Sequence, residues 1–147
     1  AFWVGNGGSA AICSHLAQDM LNKLEMKSLF CGDIAMMTCM ANDFGYENGY
    51  ARPLGHLGRE GDLLIAISSS GNSANIGNAV DLALSRKMDV ITLSGFGRDN
   101  RLWNSAGTVN FWVQSQLYGI VEMAHEAILH GVIETAWLEE QNKNTDD

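Results

Sequence analysis

The stretch "LLIAISSSGNSANIGNAV", residues 63–80, runs from an apolar segment through a row of serines into a pattern with helical spacing. Residues 63–68 are short, apolar and followed by turn formers, which predicts a buried strand. The apolar residues beyond position 73 recur at helical spacing, which predicts a helix over residues 73–86. A strand followed directly by a helix is the repeating unit of α/β proteins, so this stretch predicts that fold class.

The first residues of the chain repeat this plan. In "AFWVGNGGSAAICSHLAQDML", residues 1–21, an apolar run leads through a glycine-rich turn to a serine and a helical pattern. The same criteria predict strands at residues 2–5, 28–31, 90–93 and 108–113 and helices at 9–24, 34–41 and 118–140. Such alternation predicts a parallel sheet covered by helices on both faces. Because ligands bind beyond the carboxyl ends of the strands in such sheets, both turns are candidate sites.

Composition limits the class of protein. The chain has 147 residues, 46% hydrophobic and 18% charged, so we expect one domain with a buried core over residues 1–147. The formal charge of −8 argues against a nucleic-acid partner, and no stretch is long and apolar enough to predict a membrane span. Cys13, Cys31 and Cys39 are odd in number and unpatterned in spacing, which favours reduced thiols in a cytoplasmic protein. Because the chain opens directly on the apolar run "AFWVG", we expect further residues upstream of position 1.

The glycine-rich turn "GNGGSA", residues 5–10, permits two interpretations. Glycines let backbone N–H groups approach a ligand closely, and the N-terminus of the following helix attracts an anion, so the turn could hold a phosphate. It could also be a degenerate dinucleotide fingerprint, in which Asp33 after the second predicted strand would bind the ribose. The turn by itself does not decide between them.

The serine turn "SSSGNS", residues 68–73, favours phosphate. Its four serines and Asn72 supply hydroxyl and amide donors around a helix start, which suits a phosphate monoester and has no use in a dinucleotide site. If the serines only capped the helix, Ser73 would be explained, but Ser68, Ser69 and Ser70 would not. The chain also lacks the G-x-x-x-x-G-K-[ST] motif of nucleotide P-loops.

Four segments occur in an order that is typical of one family: "GNGGSAAICSHLAQDM", "ANDFGYE", "GREGDLLIAISSSGNSANI" and "VITLSG". They resemble the sugar isomerase (SIS) domain, in its phosphoheptose isomerase branch. The resemblance implies a flavodoxin-like three-layer α/β sandwich with a five-stranded parallel sheet, a homotetramer with active sites at subunit interfaces, and a helical segment upstream of residue 1. It also implies an enediol reaction that interconverts sedoheptulose 7-phosphate and D-glycero-D-manno-heptose 7-phosphate, a step of heptose biosynthesis.

The resemblance further implies which residues contact the substrate. They come from both turns, from the "AND" segment and from the last predicted helix: Asn6, Gly7, Gly8, Ser9, Asn42, Asp43, Ser68, Ser69, Ser70, Ser73 and Glu122. In this interpretation the serine row is a phosphate cradle. For Asn42 and Asp43, the local sequence "ANDFGYENG" also predicts a plain turn.

Aldose–ketose isomerisation needs a base for the proton beside the carbonyl, an acid for the oxygen and a group that stabilises the oxyanion. His15 and Asp19 stand four residues apart on the first predicted helix, hence on one face. Glu122 and His130 stand eight residues apart on the last predicted helix. Metal-bearing family members have His, Glu, Gln and His at these places, with the second and fourth as the acid–base pair. The resemblance thus implies that Asp19 and His130 are catalytic.

Two of these four positions depart from the family pattern. Asp19 is one methylene shorter than glutamate, and Glu122 adds a negative charge where the family has glutamine. Two imidazoles and two carboxylates are a suitable ligand set for zinc. We therefore expect one Zn²⁺ per subunit, bound by His15, Asp19, Glu122 and His130.

Two classes of function remain open. One is the isomerase. The other is a non-catalytic SIS protein that senses a sugar phosphate or binds a protein partner, as do relatives that resemble the DnaA-binding replication-initiator factor. Those relatives lack the second histidine of the last helix, so His130 favours the enzyme. His125 and His56 are expected to be ordinary core or surface groups.

Overall fold

Five parallel strands form a single sheet in the computed structural model, which describes residues 1–145; residues 146 and 147 of the predicted domain lie outside this range. The strands are β1 (Phe2–Gly5), β2 (Leu29–Phe30), β3 (Leu63–Ser68), β4 (Asp89–Ser94) and β5 (Val109–Trp112). Their order across the sheet is β2-β1-β3-β4-β5, and every neighbouring pair is parallel. The predicted five-stranded parallel α/β fold is thereby confirmed.

Helices cover both faces of the sheet. They are α1 (Gly8–Leu24), α2 (Ile34–Phe44), α3 (Ala51–Leu57), α4 (Ala74–Ser85) and α5 (Tyr118–Thr145), and a short 3-10 helix, Tyr46–Asn48, follows α2. α1 and α5 pack on one face through side chains such as Leu16 and Leu129. α3 and α4 pack on the other face through Leu54 and Val80. Because these side chains are almost fully buried, each helix is held to the sheet by its apolar stripe.

Three helices differ from the prediction. α2 continues to Phe44 instead of ending at residue 41, and α5 continues to Thr145 instead of 140. α3 is absent from the prediction because Pro53 and Gly55 are turn formers. Pro53 lies in the first turn of α3, where a backbone N–H has no partner within the helix, so the lack of one in proline costs nothing. The buried Leu54 packs against α4 and stabilises the helix.

Among the described residues, no helix combines the length and the apolar character that a bilayer crossing requires.

Candidate active site

A pocket opens at the carboxyl edge of the sheet, between the loops that follow β1 and β3. These strands are neighbours, with Gly5 opposite Ile67, but the helices that follow them lie on opposite faces of the sheet. The two loops therefore diverge at the topological switch point, where α/β proteins bind their ligands. The cavity has a volume of about 300 Å³ and is lined by Asn6, Gly7, Gly8, Ser9, Ser68, Ser69, Ser70, Ser73, Tyr118 and Glu122.

The serine loop forms one wall of this pocket. The Ser68 hydroxyl lies 3.1 Å from that of Ser73 and 3.5 Å from that of Ser70. The backbone N–H of Asn72 donates to Ser70 Oγ at 3.2 Å. Ser73 is the N-cap residue of α4, yet its side chain makes no capping hydrogen bond. Capping therefore fails to explain even Ser73, and the hydroxyls gather at a helix N-terminus, which favours an anion.

The glycine loop forms the opposite wall. Gly7 has φ 54° and ψ −124°, a conformation that glycine adopts without steric cost. A Cβ added at Gly8 would lie 2.5 Å from Glu122 Oε1. Glycine at this position therefore lets the Glu122 carboxylate lie against the first turn of α1, where a helix favours negative charge.

An amide pair joins the two walls. Asn6 Nδ2 donates to Asn75 Oδ1 and Asn75 Nδ2 donates to Asn6 Oδ1, both at 2.9 Å. The Tyr46 hydroxyl donates to Asn6 Oδ1 at 3.1 Å, and Asn75 is almost fully buried in the first turn of α4. Asn6, predicted as a substrate contact, lines the pocket, but both ends of its amide are held by protein groups.

A second cluster lies farther along α1 and α5, which pack against each other. Asp19 Oδ2 lies 3.9 Å from His15 Nε2 and 3.7 Å from His130 Nδ1. The two imidazole rings are 5.4 Å apart between centroids. Of the four residues predicted to converge, these three do, whereas Glu122 lies at the pocket instead.

The three-residue cluster fits a metal ion. One ligand atom from each side chain lies within 4.8 Å of the others. Zinc accepts imidazole nitrogen and carboxylate oxygen, and catalytic zinc sites use three protein ligands and keep one position open. His15, Asp19 and His130 therefore form a possible His/Asp metal site.

Asn42 and Asp43 lie apart from both clusters. They are exposed in the last turn of α2, where Asn42 Nδ2 donates to Asp43 Oδ1 at 2.8 Å. The plain turn predicted for them is wrong, since the helix continues to Phe44. Their role as substrate contacts stays a prediction.

Asp33, the ribose ligand of the dinucleotide interpretation, is the N-cap of α2. Its side chain accepts from the Met36 N–H, so a structural role explains this residue.

Two residues at the site were missing from the prediction. Tyr118 lines the pocket from the first turn of α5, and Asn75 holds Asn6. The position of Tyr118, four residues before Glu122, could have indicated that the two share a helix face. A buried partner such as Asn75 gives no comparable pattern in the sequence.

The remaining two histidines lie outside the site. His56 is exposed on α3. His125 is fully buried, and its Nε2 lies 3.0 Å from the Ser94 carbonyl oxygen. Burial lowers the pKa of His125 below its ordinary value, against the opposing effect of that hydrogen bond.

Comparisons with known proteins agree with this geometry. The SIS domain family matches residues 2–95. The phosphoheptose isomerase of Shewanella frigidimarina is 37% identical over 134 residues, which cover 86% of this chain and 68% of that protein.

Two solved structures are similar in fold. The phosphoheptose isomerase of Neisseria gonorrhoeae superposes with a TM-score of 0.83 at 33% identity, over 91% of this chain and 73% of that one. The phosphoheptose isomerase of Francisella tularensis gives a TM-score of 0.80 at 31% identity, over 90% of this chain and 72% of that one.

Proposed function

Because the chain belongs to the SIS domain family, and within it to the phosphoheptose isomerases, we propose that it interconverts sedoheptulose 7-phosphate and D-glycero-D-manno-heptose 7-phosphate. The observation that supports this most directly is that α1 and α5 both contribute to two neighbouring sites. One is the hydroxyl-lined pocket, and the other is the cluster of His15, Asp19 and His130. An isomerase of sugar phosphates needs both an anion cradle and an acid–base pair.

The spacing of the two sites suits an extended sugar phosphate. At 1.5 Å rise per residue, His15 lies about 9 Å along α1 from Ser9, and His130 about 12 Å along α5 from Glu122. An extended chain advances about 1.2 Å per bond, so a heptulose 7-phosphate measures about 10 Å from C1 to phosphorus. With the phosphate between Ser68, Ser70 and Ser73, C1 and C2 would reach the cluster.

Asp19 and His130 would move the protons. The Asp19 carboxylate takes the proton from C1 of the ketose while His130 donates a proton to the C2 oxygen, which gives the enediol. His130 then accepts the proton of the C1 hydroxyl, and Asp19 returns its proton to C2, so the aldose forms with no net change in either residue. The 3.7 Å between Asp19 Oδ2 and His130 Nδ1 exceeds a hydrogen bond, so the carboxylate is not committed to the imidazole.

We also propose that His15, Asp19 and His130 would hold the zinc ion, His130 through Nδ1, which faces Asp19, so that its proton transfers take place at Nε2. When bound there, zinc would supply polarisation of the substrate oxygens. Glu122, the fourth predicted ligand, is assigned to the substrate side because its carboxylate lies at Gly8. Zinc titration by calorimetry should give stoichiometric binding that is lost in His15→Ala, and equal binding in that variant would contradict the assignment.

The proposal includes a homo-oligomer, most simply a tetramer, in a cytoplasmic compartment. Exposed apolar side chains on α5, such as Ile120 and Met123, support the assembly. The three cysteines support a reducing compartment, because all are free thiols and Cys39 is exposed.

The experiment is to mix the protein with sedoheptulose 7-phosphate and to follow the appearance of the aldose by NMR. His130→Ala should lose turnover and keep its affinity for phosphate, whereas His56→Ala, which alters an exposed histidine on α3, should behave as the wild type. Binding without product in the wild type would contradict the enzyme and favour a sugar-phosphate sensor. Full activity in His130→Ala would contradict the mechanism.

A further inference from the structure

One aromatic side chain stands among the polar groups that line the pocket. Tyr118 is the first residue of α5 and lies one helical turn before Glu122, so both face the same cavity. Its side chain is 62% exposed, which leaves most of the ring available to a ligand. The other lining groups are serine hydroxyls, glycine backbone, one amide and one carboxylate.

Phe96 holds the Tyr118 ring in place. The two rings meet edge to face, with centroids 4.8 Å apart and planes at 81°. Phe96 has φ 56°, in the left-handed region that a bulky residue rarely adopts, and its N–H donates to the Ser115 carbonyl at 2.9 Å. Residues held in such conformations cluster at ligand sites, because the surrounding structure must impose them. The edge-to-face contact with Phe96 therefore fixes the Tyr118 ring beside the pocket.

The carbon chain of a sugar phosphate has both hydroxyls and apolar C–H groups. The serine loop can bind the phosphate, and Tyr118 is the one aromatic side chain among the described residues that line the pocket. An aromatic ring supplies a large apolar surface at low cost in conformational entropy. We propose that Tyr118 is a substrate-contacting residue, an inference that rests on the proposed function. Its ring would pack against the carbons next to the phosphate and thereby make the pocket prefer a sugar phosphate to free phosphate.

The test measures binding in the absence of turnover. A heptitol 7-phosphate has no carbonyl to isomerise, and inorganic phosphate reports on the serine loop alone. By calorimetry, Tyr118→Ala should weaken binding of the heptitol phosphate about tenfold and leave that of inorganic phosphate within about twofold. Tyr118→Phe should bind both as the wild type does, because the ring is kept. The control is Leu117→Ala, which removes a neighbouring exposed side chain that does not line the pocket.

Three outcomes would overturn the proposal. They are unchanged heptitol phosphate affinity in Tyr118→Ala, an equal loss for both ligands in that variant, and a loss in Tyr118→Phe as large as in Tyr118→Ala. Phe96 is a positioning residue, since it acts on the substrate through the Tyr118 ring. Phe96→Ala should therefore weaken substrate binding, which raises KM, and leave kcat nearly unchanged. A wild type that binds heptitol phosphate through Tyr118 but produces no aldose would contradict the isomerase and leave this inference intact.

Discussion

Ser73 shows how a single hydroxyl distinguishes a structural role from a binding role. At an N-cap, a serine normally accepts from the backbone of the first turn, and this stabilises the helix by about 1 kcal/mol. Here the Ser73 hydroxyl instead lies 3.1 Å from that of Ser68. The missing cap leaves the N–H groups of Ala74 and Asn75 to a ligand, while the N–H of Ile76 donates to Asn75 Oδ1 at 3.0 Å. Free N–H groups at a helix N-terminus are the arrangement that binds phosphate.

Replacing Ser70 and Ser73 together with alanine should therefore weaken binding of a sugar phosphate. Hydrogen bonds to a charged group contribute about 1.5–3 kcal/mol each, so the loss should be about 100-fold or more. Isothermal calorimetry with inorganic phosphate measures it directly. Ser85→Ala, which removes a hydroxyl from the other end of α4, should bind as the wild type does. Unchanged affinity in the double variant would rule out the cradle.

His125 makes stability depend on pH. Its pKa is lowered by burial, and among the described residues its Nδ1 has no hydrogen-bond partner. In the unfolded chain a histidine takes up its proton near pH 6.5, whereas in the folded chain it does so only at lower pH. At a pH between the folded and the unfolded pKa of His125, the unfolded state binds more protons than the folded state. The contribution of His125 to the free energy of unfolding is therefore complete above about pH 6.5 and falls as the pH drops.

We expect the free energy of unfolding to fall less steeply between pH 7 and pH 5.5 in His125→Gln than in the wild type. Urea unfolding across this range measures both slopes, and the other titratable groups are the same in the two proteins. Parallel curves would show that His125 does not cause the dependence.

At the scale of elements, the amide pair of Asn6 and Asn75 connects the loop after β1 to the first turn of α4. The pair fixes the separation of the two pocket walls, since each amide both donates to and accepts from the other. Asn75 is also almost fully buried, and the loss of its side chain leaves Asn6 Nδ2 without its acceptor, whereas Asn6 Oδ1 keeps the Tyr46 hydroxyl.

Asn75→Ala should lower the free energy of unfolding by about 1–3 kcal/mol and weaken phosphate binding, because the loops are no longer held together. Thermal unfolding and calorimetry on the same sample test both effects. The matched control is Asn78→Ala, one turn farther along α4, which removes a hydrogen bond to the Glu47 carbonyl and one from the Arg101 guanidinium, both away from the residues that line the pocket. An Asn75→Ala protein with wild-type affinity would contradict the coupling.

The elements also show what the sequence can and cannot predict. The alternation of apolar runs with helical patterns is local, so the strands and the helices α1, α4 and α5 were predictable. α3 was not predictable, because Pro53 and Gly55 locally favour a turn. The helix is stabilised by the burial of Leu54 against α4, which is a tertiary contact. The position of the glycine turn and the serine turn at the pocket was also predictable. Both turns directly follow parallel strands, and the carboxyl ends of such strands meet at one edge of the sheet, where ligands bind. The amide pair of Asn75 was not, since its partner is 69 residues away.

At the scale of the whole molecule, two helices present apolar surface that the rest of the chain does not cover. α2 is rich in apolar side chains, but none of its residues is buried. On α5, exposed residues recur at helical spacing along the side away from the sheet: Ile120, Met123, Ala127, Gly131 and Leu138. Exposed apolar side chains at helical spacing indicate an interface.

The proposed homo-oligomer predicts that a charge on this face of α5 prevents assembly. Met123 is 70% exposed, so Met123→Glu should fold normally as a monomer, while burial of its carboxylate against a second copy should weaken association at least about tenfold. Sedimentation of the wild type and the variant at equal concentration measures the difference. Gln18→Glu places the same charge on the exposed side of α1 and should leave assembly unchanged. A wild type that sediments as a monomer would contradict the proposed assembly, and the apolar face of α5 would then need another partner.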